Sequence, residues 1–269
     1  MVHEWQSIFQ AAHACLMATN PDEKISLTNQ VREAWLDNLI SCENQFPIEK
    51  IDVPGRPDKP ELVSPRNLPK RSLSSTKGRA ALIHALCHIE FNAINLAWDA
   101  VYRFQDMPRD YYTDWSQVAA EEAYHFGLLR EHLRQLGYDY GDFDAHNGLW
   151  EMTVKTDFDP MVRMALVPRV LEARGLDVTP GIMAKLDGCG DNAAVKILEI
   201  IHRDEVGHVE IGSRWFNYLC EKRKLEPAST FDSLIKKYMK GQLKGPFDMD
   251  ARRKAGFSEQ ELAYLEGAG

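Results

Sequence analysis

The sequence predicts an all-α protein built on a four-helix bundle, with extra helices at both ends. Three observations lead there. Apolar residues recur at helical rather than alternating spacing, strand signals are almost absent, and helix start and stop residues bracket four long segments. With 269 residues, 44% of them hydrophobic, the chain has enough apolar surface for a sizeable core, which excludes wholesale disorder. One domain over residues 1–269 is expected, with its core bundle at about 75–222.

Residues 1–45 read as a helical hairpin. Trp5, Phe9, Ala12 and Leu16 form one stripe, a turn follows at Asn20-Pro21-Asp22, and Val31, Ala34, Trp35 and Leu39 form the second stripe. In residues 46–74 the periodicity vanishes. Pro47, Pro54, Pro57, Pro60, Pro65 and Pro69 crowd this stretch, which predicts an extended segment wrapping the surface or serving a function. Residues 76–104 then form a long apolar helix, and residues 111–136 a second one stopped by Gly137. Asp159 and Pro160 open a third as N-cap and first-turn proline, expected to end near Gly175. Asp191 caps a fourth that reaches about residue 222. These pair as two hairpins, 76–136 and 159–222, the makings of a four-helix bundle. The C-terminal part, 223–269, adds a short helix over 231–240 and another opened by a Ser258/Glu261 capping box with Phe257 and Leu262 as its staple.

Charge and cysteine usage narrow the function. The chain carries 32 basic against 40 acidic side chains, a net charge of −8, which gives no electrostatic footprint for DNA. No unbroken apolar run reaches the roughly 18 residues of a membrane span, and Met1-Val2-His3-Glu4-Trp5 does not look like the start of a secretory signal. Cys15, Cys42, Cys87, Cys189 and Cys220 are odd in number and scattered, as expected of free thiols in a reducing cytoplasm.

Polar groups inside apolar helices mark the candidate site. Glu90 and Glu172 each interrupt an apolar helical stretch, and a buried carboxylate needs a partner or a metal. With 20 Glu and 9 His, chance predicts roughly 0.7 Glu-x-x-His pairs. Three occur: Glu122/His125, Glu199/His202 and Glu205/His208. Residues i and i+3 share a helical face, so carboxylate and imidazole can reach one ion. Glu122 follows Glu90 by 32 residues and Glu205 follows Glu172 by 33, so two half-sites have one form. Glu199 breaks that spacing and reads, with His202, as a helix-face ion pair, although His202 sits one turn before Glu205 and can line a pocket. The set Glu90, Glu122, His125, Glu172, Glu205 and His208 matches two glutamates plus two Glu-x-x-His motifs around a pair of metal ions. Four carboxylates and two imidazoles suit iron, with manganese or a mixed Mn/Fe pair as the other choices, rather than structural zinc.

On these residues the chain resembles the ferritin-like di-metal carboxylate superfamily. Within it, Pro168-Arg169-Val170-Leu171-Glu172-Ala173-Arg174-Gly175-Leu176-Asp177 and Asp204-Glu205-Val206-Gly207-His208-Val209 look like an uncharacterised bacterial family, the domain of unknown function four-five-five. The resemblance covers about residues 75–222 and implies the six ligands above. It also leads one to expect an acid near position 95, where this chain has Asn95. A metal-bound histidine usually donates its second N–H to a carboxylate. In the similar small subunit of ribonucleotide reductase, an acid placed like Asp204 holds the histidine of the opposite half. Asp204 is therefore expected to orient His125, and Glu121 to orient His208, the bland alternative being that both acids face solvent. Pro168 kinks the third helix, and Phe91, Trp98, Tyr124 and His202 are pocket candidates, though aromatics at helical spacing are more often plain core.

The expected function is an O2-dependent di-iron or manganese–iron oxidoreductase acting on a small molecule, with an electron donor. The alternatives are an iron-handling protein (ferroxidase or peroxide scavenger) and an interaction protein with a vestigial site. Proteins of similar fold include a tRNA-hydroxylating branch. The basic clusters Arg66, Lys70, Arg71, Lys77, Arg79 and Lys236, Lys237, Lys240, Lys244, Arg252, Arg253, Lys254 keep tRNA open as a substrate, while the net acidity argues against nucleic acid. A monomer or dimer is expected, rather than a storage cage.

Overall fold

Helix α1 (Ile8–Met17) begins where Ser7 accepts from the Gln10 N–H, and α2 (Pro21–Leu36) where Asn20 accepts from the N–H groups of Asp22 and Glu23. The computed structural model describes residues 5–69, 72–239 and 243–267, and among them it is all-helical, with two isolated bridges and no strand. Lys70, Arg71 and Lys240 of the basic clusters lie outside the described residues. Chain contacts divide the molecule into two compact units, Met1–Val154 and Lys155–Gly269.

In the first unit α3 (Thr76–Arg103) packs along α4 (Arg109–Gln135), with α1 against α3 and α2 against α4. Phe9, Ala12, Leu16, Val31 and Trp35 fill the interface as their spacing predicts. Leu39 does not: α2 stops at Leu36, and Leu39 is one of the most exposed apolar side chains. By length and hydropathy α3 is long and apolar enough to cross a membrane, although polar residues interrupt its apolar run. Yet most of it is buried against the rest of the protein, and it carries His84, His88, Glu90, Asp99 and Arg103 inward, as a core helix does.

The proline-rich stretch is extended apart from one 3-10 turn at Pro65–Asn67, and it straps the first unit. The Tyr102 hydroxyl accepts from the Glu49 N–H and donates to the Pro47 carbonyl, Gln105 brackets both backbone groups of Phe46, and the Gly55 N–H donates to the Leu16 carbonyl. A Cβ at Gly55 would overlap the Met17 backbone, so only glycine lets the strap lie this close. Helix α5 (Gly148–Lys155), absent from the sequence reading, follows a short loop, and its Trp150 indole donates to the Asp52 carbonyl on the strap.

A buried lysine joins α1, α2 and α3. The Lys24 ammonium reaches the carbonyls of Cys15 and Leu16 at 2.7 and 3.0 Å and Asn95 Oδ1 at 2.7 Å, beside the Phe91 ring. This gives Asn95, noted above as a departure, a structural task. Burial lowers the Lys24 pKa to about 7. The unfolded chain then binds a proton that the folded chain has shed between about pH 7 and the ordinary lysine value. Stability contributed by Lys24 therefore rises with pH through that window and is lost as pH falls. In urea unfolding at pH 7, 8 and 9, the stability difference between wild type and Lys24→Met is expected to shift in favour of wild type by up to about 1.4 kcal/mol per pH unit. A pH-independent difference contradicts this.

The second unit starts with α6 (Pro160–Leu166), passes without a break through a π-helical turn (Val167–Glu172) into α7 (Ala173–Asp187), and returns as α8 (Asn192–Lys222). Asp159 and Asp191 cap α6 and α8 as expected. The third helix does not end at Gly175. It continues because Leu176, Asp177, Thr179 and Leu186 bury one face and α7 packs on α8, which outweighs one glycine. Helices α9 (Pro227–Tyr238), α10 (Met249–Lys254) and α11 (Glu259–Gly267) close the unit. The capping box forms: Glu261 accepts from the Ser258 N–H at 2.8 Å, Ser258 Oγ accepts from the Glu261 N–H at 3.3 Å, and Phe257 and Leu262 are buried. The C-terminal basic cluster is partly consumed by ion pairs, with Arg252 on Asp177, Arg253 on Asp250 and Glu259, and Lys236 on Asp232.

Candidate metal centre

Two facing helices build the first half-site. Glu90 from α3 and Glu122 and His125 from α4 are all buried, and each brings a ligand atom within 4.8 Å of the others. His125 Nδ1 lies 3.3 Å from a Glu90 oxygen and 3.5 Å from a Glu122 oxygen. Burial pushes the Glu90 carboxyl well above the ordinary carboxylate range, and the Glu122 charge raises it further. Burial would lower the His125 imidazole, but the two carboxylates beside it hold its pKa up at about 11. Without a cation, two carboxyl groups and an imidazole are thus held together out of water, and one carboxyl is kept from ionising beside the other. These buried oxygen and nitrogen donors lie close enough together to hold a metal ion, which would let both carboxyls ionise.

The second unit carries the repeat of this pattern. Glu205 and His208 are buried one turn apart on α8, with His208 Nδ1 3.8 Å from Glu205 Oε1. Glu172 is half-buried at the last position of the π-helical turn. A π turn inserts an extra residue into the helix and is found mostly at functional positions. Pro168, which lacks an N–H to donate within the helix, stands at its start. The Pro168 ring fits over Gly212 of α8: a Cβ there would come within 2.4 Å of the Pro168 ring. At Gly207 nothing lies within 4 Å of an added Cβ, so close approach is required at Gly212 and not at Gly207. Gly207→Ala is expected to stabilise the protein by up to about 1 kcal/mol through helix propensity. Gly212→Ala is expected to cost about 1–3 kcal/mol by overpacking. Thermal unfolding of both variants checks this contrast, and equal effects contradict it.

Asp204 holds Arg203, at 2.8 Å, and Glu121 accepts from the Gln117 amide at 3.0 Å. Phe91 is packed against Phe126 and Tyr140, and Trp98 is buried with its indole donating to Thr28, so both belong to the core of the first unit. Tyr124 is exposed. Glu199 is exposed as well, while a ring nitrogen of His202 lies 3.4 Å from the Leu176 carbonyl.

The motif around Glu172 contains structural residues that spacing alone does not reveal. Buried Arg169 bonds Glu261, Arg174 donates to the carbonyls of Lys244 and Pro246, and Asp177 pairs with Arg252. One strip of helix thus carries a candidate ligand and fastens the C-terminal segment. Against known proteins, the family model described as "Protein of unknown function (DUF455)" matches residues 17–263. The chain belongs to the DUF455 family. The DUF455 chain is also 46% identical over 268 residues to an uncharacterized protein of Haemophilus influenzae (strain ATCC 51907 / DSM 11121 / KW20 / Rd), covering 96% of this chain and 93% of the relative. No solved structure matches this DUF455 protein.

Proposed function

We propose that this DUF455 protein is a ferritin-like di-metal carboxylate oxidoreductase. In this reading Glu90, Glu122 and His125 of the first helical hairpin and Glu172, Glu205 and His208 of the second hold two ions, iron first and mixed manganese–iron second. The observation that carries the reading is the buried Glu90–Glu122–His125 triad, whose ligand atoms lie within 4.8 Å of one another out of water. The repeat at Glu205 and His208, and the π turn ending at Glu172, support a second ligand set. Such a pair of ions supplies O2 reduction coupled to oxidation of a small-molecule substrate, with electrons from a separate donor. The chain's residues then have separate tasks. The six ligands fix the ions, Asp204 and Glu121 orient His125 and His208, and the apolar helix faces keep bulk water out. Five free cysteines fit work in a reducing cytoplasm.

The test is reconstitution of purified protein with Fe(II) under anaerobic conditions, followed by metal analysis and exposure to O2. About two ions per chain are expected, with O2 uptake by the loaded and not the metal-free protein. Fewer than one ion per chain contradicts the reading. Loading far beyond two ions favours iron storage instead.

A further inference from the structure

Arg169 is fully buried inside the π-helical turn, three residues before Glu172. Its guanidinium lies 4.8, 4.3 and 4.5 Å from the ring centres of Phe216 on α8, Phe231 on α9 and Phe257 ahead of α11. Its Nε donates to Ser213 Oγ at 3.1 Å and its NH2 group to Glu261 Oε1 at 2.7 Å. The other Glu261 oxygen accepts from the Ser258 N–H and hydroxyl, so one buried carboxylate caps α11 and holds the turn. A dry cation in an aromatic cage has no solvated alternative at hand, and moving it breaks the ion pair and three ring contacts together.

That matters for register. A π turn differs from an α-helix by one inserted residue, and each residue rotates the following side chains by about 100° around the axis. If the turn relaxed to regular helix, Glu172 would point elsewhere. Pro168 lying on Gly212 fixes the start of the turn. Arg169 fixes its middle.

We propose that Glu261 and Arg169 are a positioning pair: by docking α11 onto the π turn they aim the Glu172 carboxylate at the second metal position. The inference rests on the di-metal reading above and makes α11 a part of the metal site at a distance. The first half-site, Glu90, Glu122 and His125, takes no residue from this clamp.

Co(II) titration of the whole protein tests it, because the visible spectrum reports ligand geometry ion by ion. Wild type is expected to take up two equivalents. Glu261→Gln is expected to bind one equivalent as wild type does, and the other about tenfold or more weakly with an altered spectrum. Ser258→Ala, which removes the hydroxyl of the capping box and leaves the ion pair, is expected to lower the melting temperature and leave both equivalents unchanged. If Glu261→Gln does not fold, the charge-free double variant Arg169→Met/Glu261→Met replaces it, with the same loss at one equivalent expected. Wild-type affinity and spectrum at both equivalents in the Glu261 variant overturn the positioning role while the di-metal reading stands. Equal spectral change in Ser258→Ala and Glu261→Gln also overturns it, since stability alone then explains the effect. No Co(II) uptake by wild type overturns both.

Discussion

Glu122→Ala, purified anaerobically and reloaded with Fe(II), is expected to bind metal at least tenfold more weakly than wild type and to lose metal-dependent O2 uptake. Glu122 is fully buried and its oxygens lie beside His125, which is itself close to Glu90. On the di-metal proposal, removing it takes away one anionic ligand and the charge that, with Glu90, raises the imidazole pKa. Loss of a hydrogen-bonding partner outside the coordination sphere already costs about 10–100-fold in metal affinity, so loss of a direct ligand should cost no less. Relieving the like-charge contact between Glu90 and Glu122 is expected to leave the metal-free variant as stable as wild type or more so. Weaker metal binding without loss of fold is therefore the expected signature. Metal analysis and thermal unfolding on the same sample read both, and wild-type metal content contradicts the assignment of Glu122.

The second large effect falls on stability. Asp177 and Arg252 form a buried two-pronged pair at 2.9 and 2.7 Å, and Asp177 also accepts the Asp248 N–H that opens α10. Asp177→Ala strands the Arg252 cation in the interior, and breaking such a pair costs about 3–5 kcal/mol. The double variant Asp177→Leu/Arg252→Met leaves no charge behind and should recover most of that loss. Denaturant unfolding of the two variants measures both, and a loss below about 1 kcal/mol for Asp177→Ala contradicts this role for the pair.

Much of this was readable in the chain itself. The stripes Phe9/Ala12/Leu16 and Val31/Trp35, the caps Asp159 and Asp191 and the Ser258/Glu261 box are local signals, and local rules set them. Glu90 stood out because it interrupts an apolar helical stretch, and Glu122 and His125 because Glu-x-x-His recurs at matching spacing behind such a glutamate; the structure brings the three together. The features that stayed hidden are settled by partners far away in sequence. Gly175 reads as a stop until α7 is seen packing on α8. Pro168 reads as a kink, and the π turn follows only once Gly212 lies beneath its ring. Arg169, Asp177 and Lys24 look like ordinary surface charges, because the partners that bury them (Glu261, Arg252 and Asn95) lie tens of residues away. Asp204 and Glu121 also touch near neighbours on their own helices, Arg203 and Gln117.

Anomalous diffraction tests the proposed pair of metal positions most directly. Crystals of anaerobically reconstituted protein, measured on both sides of the iron and manganese absorption edges, are expected to show two peaks: one on Glu90, Glu122 and His125, the other on Glu172, Glu205 and His208. No peak at these residues, or a single ion bound elsewhere, contradicts the account.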